Sequence, residues 1–539
     1  MSYDFANKKL ITSPDRVVKQ NYRLGANYYL SIIIKEDVLE ICFPVSSGST
    51  LVCFRVRGLV SENDFRGSGW LEKISRDAGI KIVIPPDRPG FYLGIKIRSK
   101  LIVSAYSKIF WEIPSRVRNK KTNWSETPAY YISIGDRLPS IAFRQGNSGC
   151  FVGIGDTPDR AVLNVVHLSR IGESNLEIET DNYMSRLEEV DNKVVRDNIL
   201  MSIFNSNSKF IDNEDDCIIA SKSPKYYVSS GFWARDFIFW TFPVIERYDP
   251  ERARVLLSLL FTKYWKHKGI HSLYMDGRIL YDGFELDQLS YYFLALERAI
   301  VHNVLTPEDT VTRTSQLMDI LISRKSEEYN LFSTDLNSSD DPTTYPYVTF
   351  DNVALWYSMR TYALRVKDVL LDRTYLEYSE RIKEDIMKAL VKDDMFSYSS
   401  DLNGHYEFYD DPTGSLLLFP YLGFIEKESR VFKNTLEWIK SDKNEFKIEG
   451  KFGGFGNRHV NQPWIHSYAT QVLSGIGDGS VLENLSMDDG LSCETIDRET
   501  GRCLTGIHFP GSSAFLVQAL LYGSKENGIR KTERGIFFP

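Results

Sequence analysis

An α+β multidomain chain, with an N-terminal β-sandwich followed by an (α/α)6 toroid of helical hairpins, is the fold class this sequence predicts, and three observations predict it. From about Tyr28 to His167, short β-branched and aromatic runs alternate with turn residues, the rhythm of sandwich strands. Beyond about residue 180 the apolar spacing becomes helical, with helix starts and loops in alternation. At 539 residues the chain also exceeds what one hydrophobic core organises, so more than one domain is expected.

The strand-like runs are Tyr29 to Ile34, Leu51 to Val56, Ile80 to Ile84 and Tyr92 to Ile97, with Pro and Gly between them. The charged, Asn-rich stretch from Glu188 to Asn207 reads as a helical linker, followed by the acidic loop Asp212 to Asp216. The domains expected are therefore 1–180, a β-sandwich; 181–220, a helical linker; and 221–539, the toroid. Within the last, Asp249 before Pro250 is an N-cap with a first-turn proline, and Thr306-Pro307-Glu308-Asp309 repeats the device. Helices are expected from Pro250, over Glu285 to Val301, Pro307 to Ser326 and Asp351 to Val369, and finally over Pro510 to Leu521. The loops between them gather at one end as a funnel. The β-domain is expected to pack against the toroid through an apolar face.

The net charge of −7 is spread without long single-sign runs, which argues against nucleic acid and anionic membranes as partners and for a neutral ligand. Aromatic residues make up 13% of the chain, and flat amphipathic rings suit the apolar faces of pyranoses, although most must be ordinary core. The six cysteines, Cys42, Cys53, Cys150, Cys217, Cys493 and Cys503, show neither paired nor metal-type spacing, so free buried thiols are expected. The start of the chain lacks an apolar signal core, and no stretch approaches the roughly 18 apolar residues of a membrane span. A reducing, cytoplasmic location follows.

Acid and aromatic clusters lie at the edges of these segments: Trp233-Ala234-Arg235-Asp236, Phe284-Glu285-Leu286-Asp287-Gln288, Ser339-Asp340-Asp341-Pro342, Asp410-Asp411-Pro412 and Cys493-Glu494. Together they suit one carboxylate-lined pocket that grips and hydrolyses a sugar. Glycoside hydrolysis needs one carboxylic acid to protonate the departing oxygen and one carboxylate to activate water or attack carbon. Adjacent Asp340 and Asp341 suit the acid, because close carboxylates raise one another's affinity for a proton, yet Asp and Ser also enrich plain solvated turns. Glu494 sits among small and apolar neighbours where a partly desolvated base fits. Trp233, Arg235 and Asp236 offer a ring and an ion pair, a sugar clamp or a helix-start salt bridge. Glu285 and Asp287 precede a helix whose first turn favours acids on dipole grounds alone. Metal and nucleotide chemistry fare worse. The eight histidines are dispersed, no metal-type pairing occurs, and Gly453-Gly454-Phe455-Gly456-Asn457 lacks the Lys-Ser/Thr ending of a phosphate loop. No cofactor and no metal are expected.

These residues resemble glycoside hydrolase family 125, the metal-independent, exo-acting, inverting α-mannosidases with a six-hairpin toroid, within the wider group related to glucoamylases. The likeness covers roughly residues 225 to 523. Ser338 to Tyr347 is similar to the family's Pro-Ser-Asp-Asp-Ala loop with its following Tyr, and Asp410 to Phe424 to its Asp-Asp…Ser-Leu-Leu…Pro-Tyr-Leu-Gly-Phe segment. Trp233 to Asp236 looks like the family's Trp-Leu-Arg-Asp, Glu285 to Asp287 its Glu-Val-Asp, Gly454 to His459 its Gly-x-Gly-x-x-His, and Cys493-Glu494 its His-Glu-Ser. Chain order is preserved. The resemblance implies Asp340, with Asp341 close behind, as general acid and Glu494 as general base. It implies Trp233, Arg235, Asp236, Glu285, Asp287, Asp341, Tyr345, Asp411, His459 and Trp464 around the sugar. Asn337-Ser338 stands where the family has Arg-Pro, Cys493 where it has His, and Pro463-Trp464-Ile465-His466 where it has Gly-Tyr-Ile-Trp.

The reaction expected is inverting hydrolysis of an α-linked, non-reducing-end hexose, mannose before glucose, with acid and base roughly 6.5 to 9.5 Å apart; about 5 Å would mean retention. An α-glucosidase, glucoamylase or trehalase on the same fold, and a non-catalytic sugar-binding protein, stay open.

Overall fold

The computed structural model describes residues 22–36, 38–46, 180–210, 213–370 and 373–523, together with the strands named below and position 87; before residue 180, side chains are described at 22–36, 38–44, 46, 51, 53, 70 and 87.

Strands dominate the N-terminal part, as the alternating runs predict. Seven form one sheet in the order Lys121–Pro128, Ile102–Ile113, Thr50–Arg57, Val38–Val45, Ser31–Lys35, Arg23–Ala26 and Gly69–Trp70. All neighbours are antiparallel except the last pair. Three more, Tyr92–Ile95, Ile80–Val83 and Lys73–Arg76, make a second sheet, and Ser140–Gly146 pairs with Gly149–Gly155. Whether these layers stack as a sandwich rests on side chains outside the described residues.

Two cysteine expectations are corrected here. Cys42 is bonded to Cys53 and Cys493 to Cys503, while Cys217 is a buried free thiol. Register explains the first pair: Cys42 and Cys53 lie directly opposite each other on adjacent antiparallel strands, which brings their β-carbons within reach of a disulfide. A separation of 11 residues carries no such information by itself.

Beyond residue 180 the chain alternates outer and inner helical segments. The outer ones are Lys193–Asn205, Pro250–Leu259, Pro307–Arg324, Thr374–Ala389, Arg430–Lys440 and the short Ser480–Asn484. The inner ones are the π-helical turn Arg235–Thr241 running into Phe242–Tyr248, then Leu286–Val301, Thr349–Leu370, two 3₁₀ turns between Pro412 and Leu418, Ile465–Leu473 and Pro510–Tyr522. Composition separates the two rings. Every described residue of Leu286–Ala299 is buried, whereas Pro307–Arg324 buries only Thr310, Thr314, Leu317 and Leu321, a one-sided stripe at helical spacing.

The predicted caps form. Asp249 accepts from the Arg252 amide, and Thr306 and Asp309 close a reciprocal capping box. The segment read as a linker contains Lys193–Asn205, whose Ile199, Leu200 and Ile203 are fully buried and which packs on Pro510–Tyr522. No helix among the described residues is long and apolar enough to cross a membrane.

Candidate active site

Five of the six inner segments carry a polar or aromatic residue of the site at their N-terminal ends. Arg235 opens the π-helical turn, Glu285 is the N-cap and Asp287 a first-turn residue of Leu286–Val301, and Asp351 lies in the first turn of Thr349–Leu370. Asp411 caps Pro412–Gly414, and Trp464 is the N-cap of Ile465–Leu473. These are positions where helix dipoles favour negative charge.

Arg235 organises one side. Its Nη1 donates to Glu285 Oε2 at 3.1 Å and Asp287 Oδ2 at 2.9 Å, its Nη2 to Asp340 Oδ1 at 2.7 Å, and its backbone amide to Gln288 Oε1 at 2.8 Å. His271 Nδ1 hydrogen-bonds Glu285 Oε1. Burial opposes the charge on His271, but Glu285 and Asp340 outweigh it and raise its pKa. For Glu285, burial wins over His271 and Arg235 and raises the pKa. Burial, reinforced by Asp287 and Glu285, raises that of Asp351 well above the carboxylate range. His271, Glu285 and Asp340 bring three donor atoms within 4.8 Å of one another, the only such cluster among the described residues. The Arg235 guanidinium already supplies positive charge there.

The loop carrying Asp340 and Asp341 is held by an asparagine. Asn337 Oδ1 accepts from the amides of Ser339 at 2.9 Å and Asp341 at 3.0 Å, and the Asn337 carbonyl accepts from the Asp340 amide. This turn drives Asp340 into the left-handed region, φ +67°, a conformation Asp tolerates better than most residues. Ser339 donates to the buried Asp411 at 2.5 Å, and Asn457 donates to both. Asp341 faces His459, whose Nδ1 lies 3.6 Å away. Burial alone would lower the His459 pKa, but Asp341, with Glu494 and Asp340, raises it to about 9.

Glu494 has a different setting. Tyr226 and Tyr227 both donate to its Oε1, at 3.1 and 2.5 Å, while Oε2 is buried without a hydrogen-bond partner. Burial raises its pKa, against the lowering effect of the two phenols and His459. The residue precedes the hairpin strand Thr495–Ile496, which pairs with Cys503–Thr505; its amide donates to the Thr505 carbonyl, and its carbonyl accepts from Ile465. Gly506, at φ +58°, has no room for a Cβ, which would fall 2.3 Å from Glu494 Cγ.

The structure thus brings the expected residues together but sorts them. Asp340, Asp341 and His459 keep about a third or slightly less of their side chains open. Tyr345 is half-buried and stacks on His405 at the rim, and the Asp236 side chain is 13% exposed, burial raising its pKa well above the usual range. Glu285, Asp287 and Asp411 are fully buried, and Trp233 and Trp464 nearly so. Trp464 donates to the Val460 carbonyl. Sequence reasoning missed Tyr226, Tyr227, His271, Gln288, Ser339 and Asn457. Tyr226, Tyr227 and His271 sit in no recognisable motif; Gln288, Ser339 and Asn457 lie inside clusters read above, but their partners Arg235, Asp411 and Ser339 are 53, 72 and 118 positions away.

Comparisons with known proteins agree with this geometry. Residues 308–493 match the model of the family described as metal-independent alpha-mannosidase (GH125). The match takes in Asp340, Asp341, Asp411, His459 and Trp464, begins after Trp233 and Glu285, and ends one residue before Glu494. The computed structure also resembles a Streptococcus pneumoniae enzyme of the metal-independent alpha mannosidases, seen in a non-productive complex with alpha-1,6-mannobiose, at 15% identity and a TM-score of 0.52, covering 65% of this chain and 99% of that one. It resembles a bacterial glucoamylase complexed with acarbose at 11% identity and a TM-score of 0.61, covering 93% of each. These likenesses establish the fold, the six-hairpin toroid of glycosidases. The Meiotically up-regulated gene 157 protein of Schizosaccharomyces pombe is 28% identical over 165 residues, which span 28% of this chain and 32% of that relative.

Proposed function

We propose that the protein is an exo-acting glycoside hydrolase that removes an α-linked hexose, most readily mannose, from a non-reducing end with inversion. The observation that carries the reading is the division of the carboxylates. Glu494 stands alone under two phenols with one oxygen uncommitted, while Asp340 and Asp341 share a turn braced by Arg235, Asn337 and His459.

In this reading Glu494 deprotonates a water, its carboxylate held in place by the two tyrosines. Asp340 gives its proton to the glycosidic oxygen, its Oδ1 oriented by Arg235. Inversion follows when the two act on opposite faces of the sugar. Asp341, His459, Asp236 and Tyr345 contact hydroxyls and ring; Glu285, Asp287, Asp411, Trp233 and Trp464 hold those groups in place. The chain divides, in the same proposal, into a β-sandwich over 1–180, a linker over 181–220 and the catalytic toroid over 221–539. The two disulfides favour an oxidising compartment over the cytoplasm expected from the sequence.

Time-resolved proton NMR with α-linked mannose and glucose disaccharides tests the reading. Release of β-mannose by the wild type, lost in Glu494→Gln, is expected; release of the α-anomer would remove inversion. Glucose release would move the protein to a glucosidase, the second reading, which His466 and Trp464 in place of the family's Trp and Tyr favour. Asp340→Asn is expected to retain hydrolysis of an aryl mannoside with an acidic leaving group and lose that of mannobiose. If Asp341→Asn shows this pattern instead, the acid is Asp341.

A further inference from the structure

We infer that the N-terminal sheet sets the position of the general base, and that Glu40 and Lys225 are positioning residues for it; the inference rests on the reading of Glu494 as that base. Lys225 immediately precedes the two tyrosines that donate to Glu494. Its Nζ reaches Glu40 Oε2, on the strand Val38–Val45, at 2.6 Å, and Glu40 is buried. The same ammonium lies 5.3 Å from the centre of the Tyr22 ring.

Around this pair the sheet grips the tyrosine loop at further points. Ser31 Oγ donates to the Lys222 carbonyl at 3.0 Å, and the fully buried Lys222 Nζ donates to the Asn27 carbonyl at 2.6 Å. The grip extends to the far side of Glu494. The Tyr22 ring meets His508 edge-on at 5.7 Å, two residues beyond Gly506, and the Tyr22 amide donates to Asp488 at 3.4 Å. Asp488 in turn hydrogen-bonds His508 Nε2 at 3.1 Å, and Ser223 Oγ lies 2.8 Å from His508 Nδ1.

Beside the apolar packing of Leu24 and Ile33 on Met201 and Leu491, the sheet therefore also meets the toroid through polar contacts here. Polar contacts are directional, so they fix orientation where an apolar face would tolerate sliding. The loop they fix carries the two phenols that donate to Glu494 Oε1. A carboxylate displaced by a fraction of an ångström no longer meets the water in the reacting geometry.

The test uses the full-length protein with Lys225→Met, Glu40→Gln, Tyr227→Phe and the double variant Lys225→Met/Tyr227→Phe. Tyr28→Phe serves as control, because it cuts a different contact of this region, the one to Asp249. Lys225→Met and Glu40→Gln are each expected to lower kcat about tenfold with KM little changed. The acidic limb of kcat/KM should move to higher pH, and Lys225→Met should add little to Tyr227→Phe. Tyr28→Phe should lower Tm and leave kcat as it is. Unchanged kcat and limb, full additivity, or an equal loss of kcat in Tyr28→Phe would overturn the inference. If the wild type hydrolyses no glycoside, the glycosidase reading fails separately. The positioning claim is then decided by ¹³Cζ-tyrosine NMR, with resonances assigned from Tyr226→Phe and Tyr227→Phe. Movement of both in Lys225→Met, but not in Tyr28→Phe, supports it, and unmoved resonances sink it.

Discussion

The two carboxylate poles of the site solve one problem in opposite ways. At Asp340 the neighbours are charged: a guanidinium that also holds Glu285 and Asp287, an imidazole on Glu285, a second imidazole on Asp341. At Glu494 the hydrogen-bonding neighbours are two neutral phenols. A charged surround fixes geometry strongly, because removing any partner leaves a buried charge uncompensated. A neutral surround instead lets burial set proton affinity. Acid and base roles can thus be separated by the company each carboxylate keeps.

Four changes would break or sharpen that contrast. Glu494→Gln removes the only proton acceptor at the neutral pole, so kcat should fall by roughly 10²- to 10⁴-fold with Tm nearly unchanged; a matching fall in Tm would make Glu494 structural. Arg235→Met strips the charged pole of its centre and leaves Glu285 and Asp287 without their shared cation. Because Glu285 keeps His271, the cost falls mainly on Asp287 and should be about 3 kcal/mol of stability in a denaturant titration; a loss near zero would mean that Asp287 binds a proton and needs no cation. Tyr227→Phe removes one neutral donor and should lower kcat about tenfold. Because the phenol lowers the Glu494 pKa, the acidic limb of kcat/KM should move to higher pH.

The smallest effect belongs to His459, which joins the poles. Its folded pKa, about 9, lies above its ordinary value of 6.5. The folded state therefore binds the proton more tightly, and the stabilisation is fully present below pH 6.5 and lost as pH rises through 9. Thermal melts of the wild type should decline across that window, and His459→Gln should flatten the decline.

How much of this was legible in the sequence divides along the same line as locality. Helix starts at Asp249 and Thr306 could be read because a cap and its amides lie within three residues. The acid clusters could be read because each opens an inner segment, where helix dipoles favour carboxylates. What joins the clusters could not: Arg235 meets Asp340 across 105 positions and Tyr226 meets Glu494 across 268. No local pattern marks such pairs. Nor did cysteine spacing reveal the two disulfides, the first of which follows strand register. Nor does composition say anything of depth: Asp411 and Trp464, expected around the sugar, are buried.

Gly506 shows how a site can depend on a position with no chemistry of its own. The space a methyl group would fill there is the space the Glu494 carboxylate occupies. Alanine scanning of acids, rings and cations would pass over this residue, and a search for reactive side chains has nothing to find. In a saturation-mutagenesis map of activity, however, position 506 should appear as intolerant as the carboxylate it makes room for, a silent position with the signature of a reacting one.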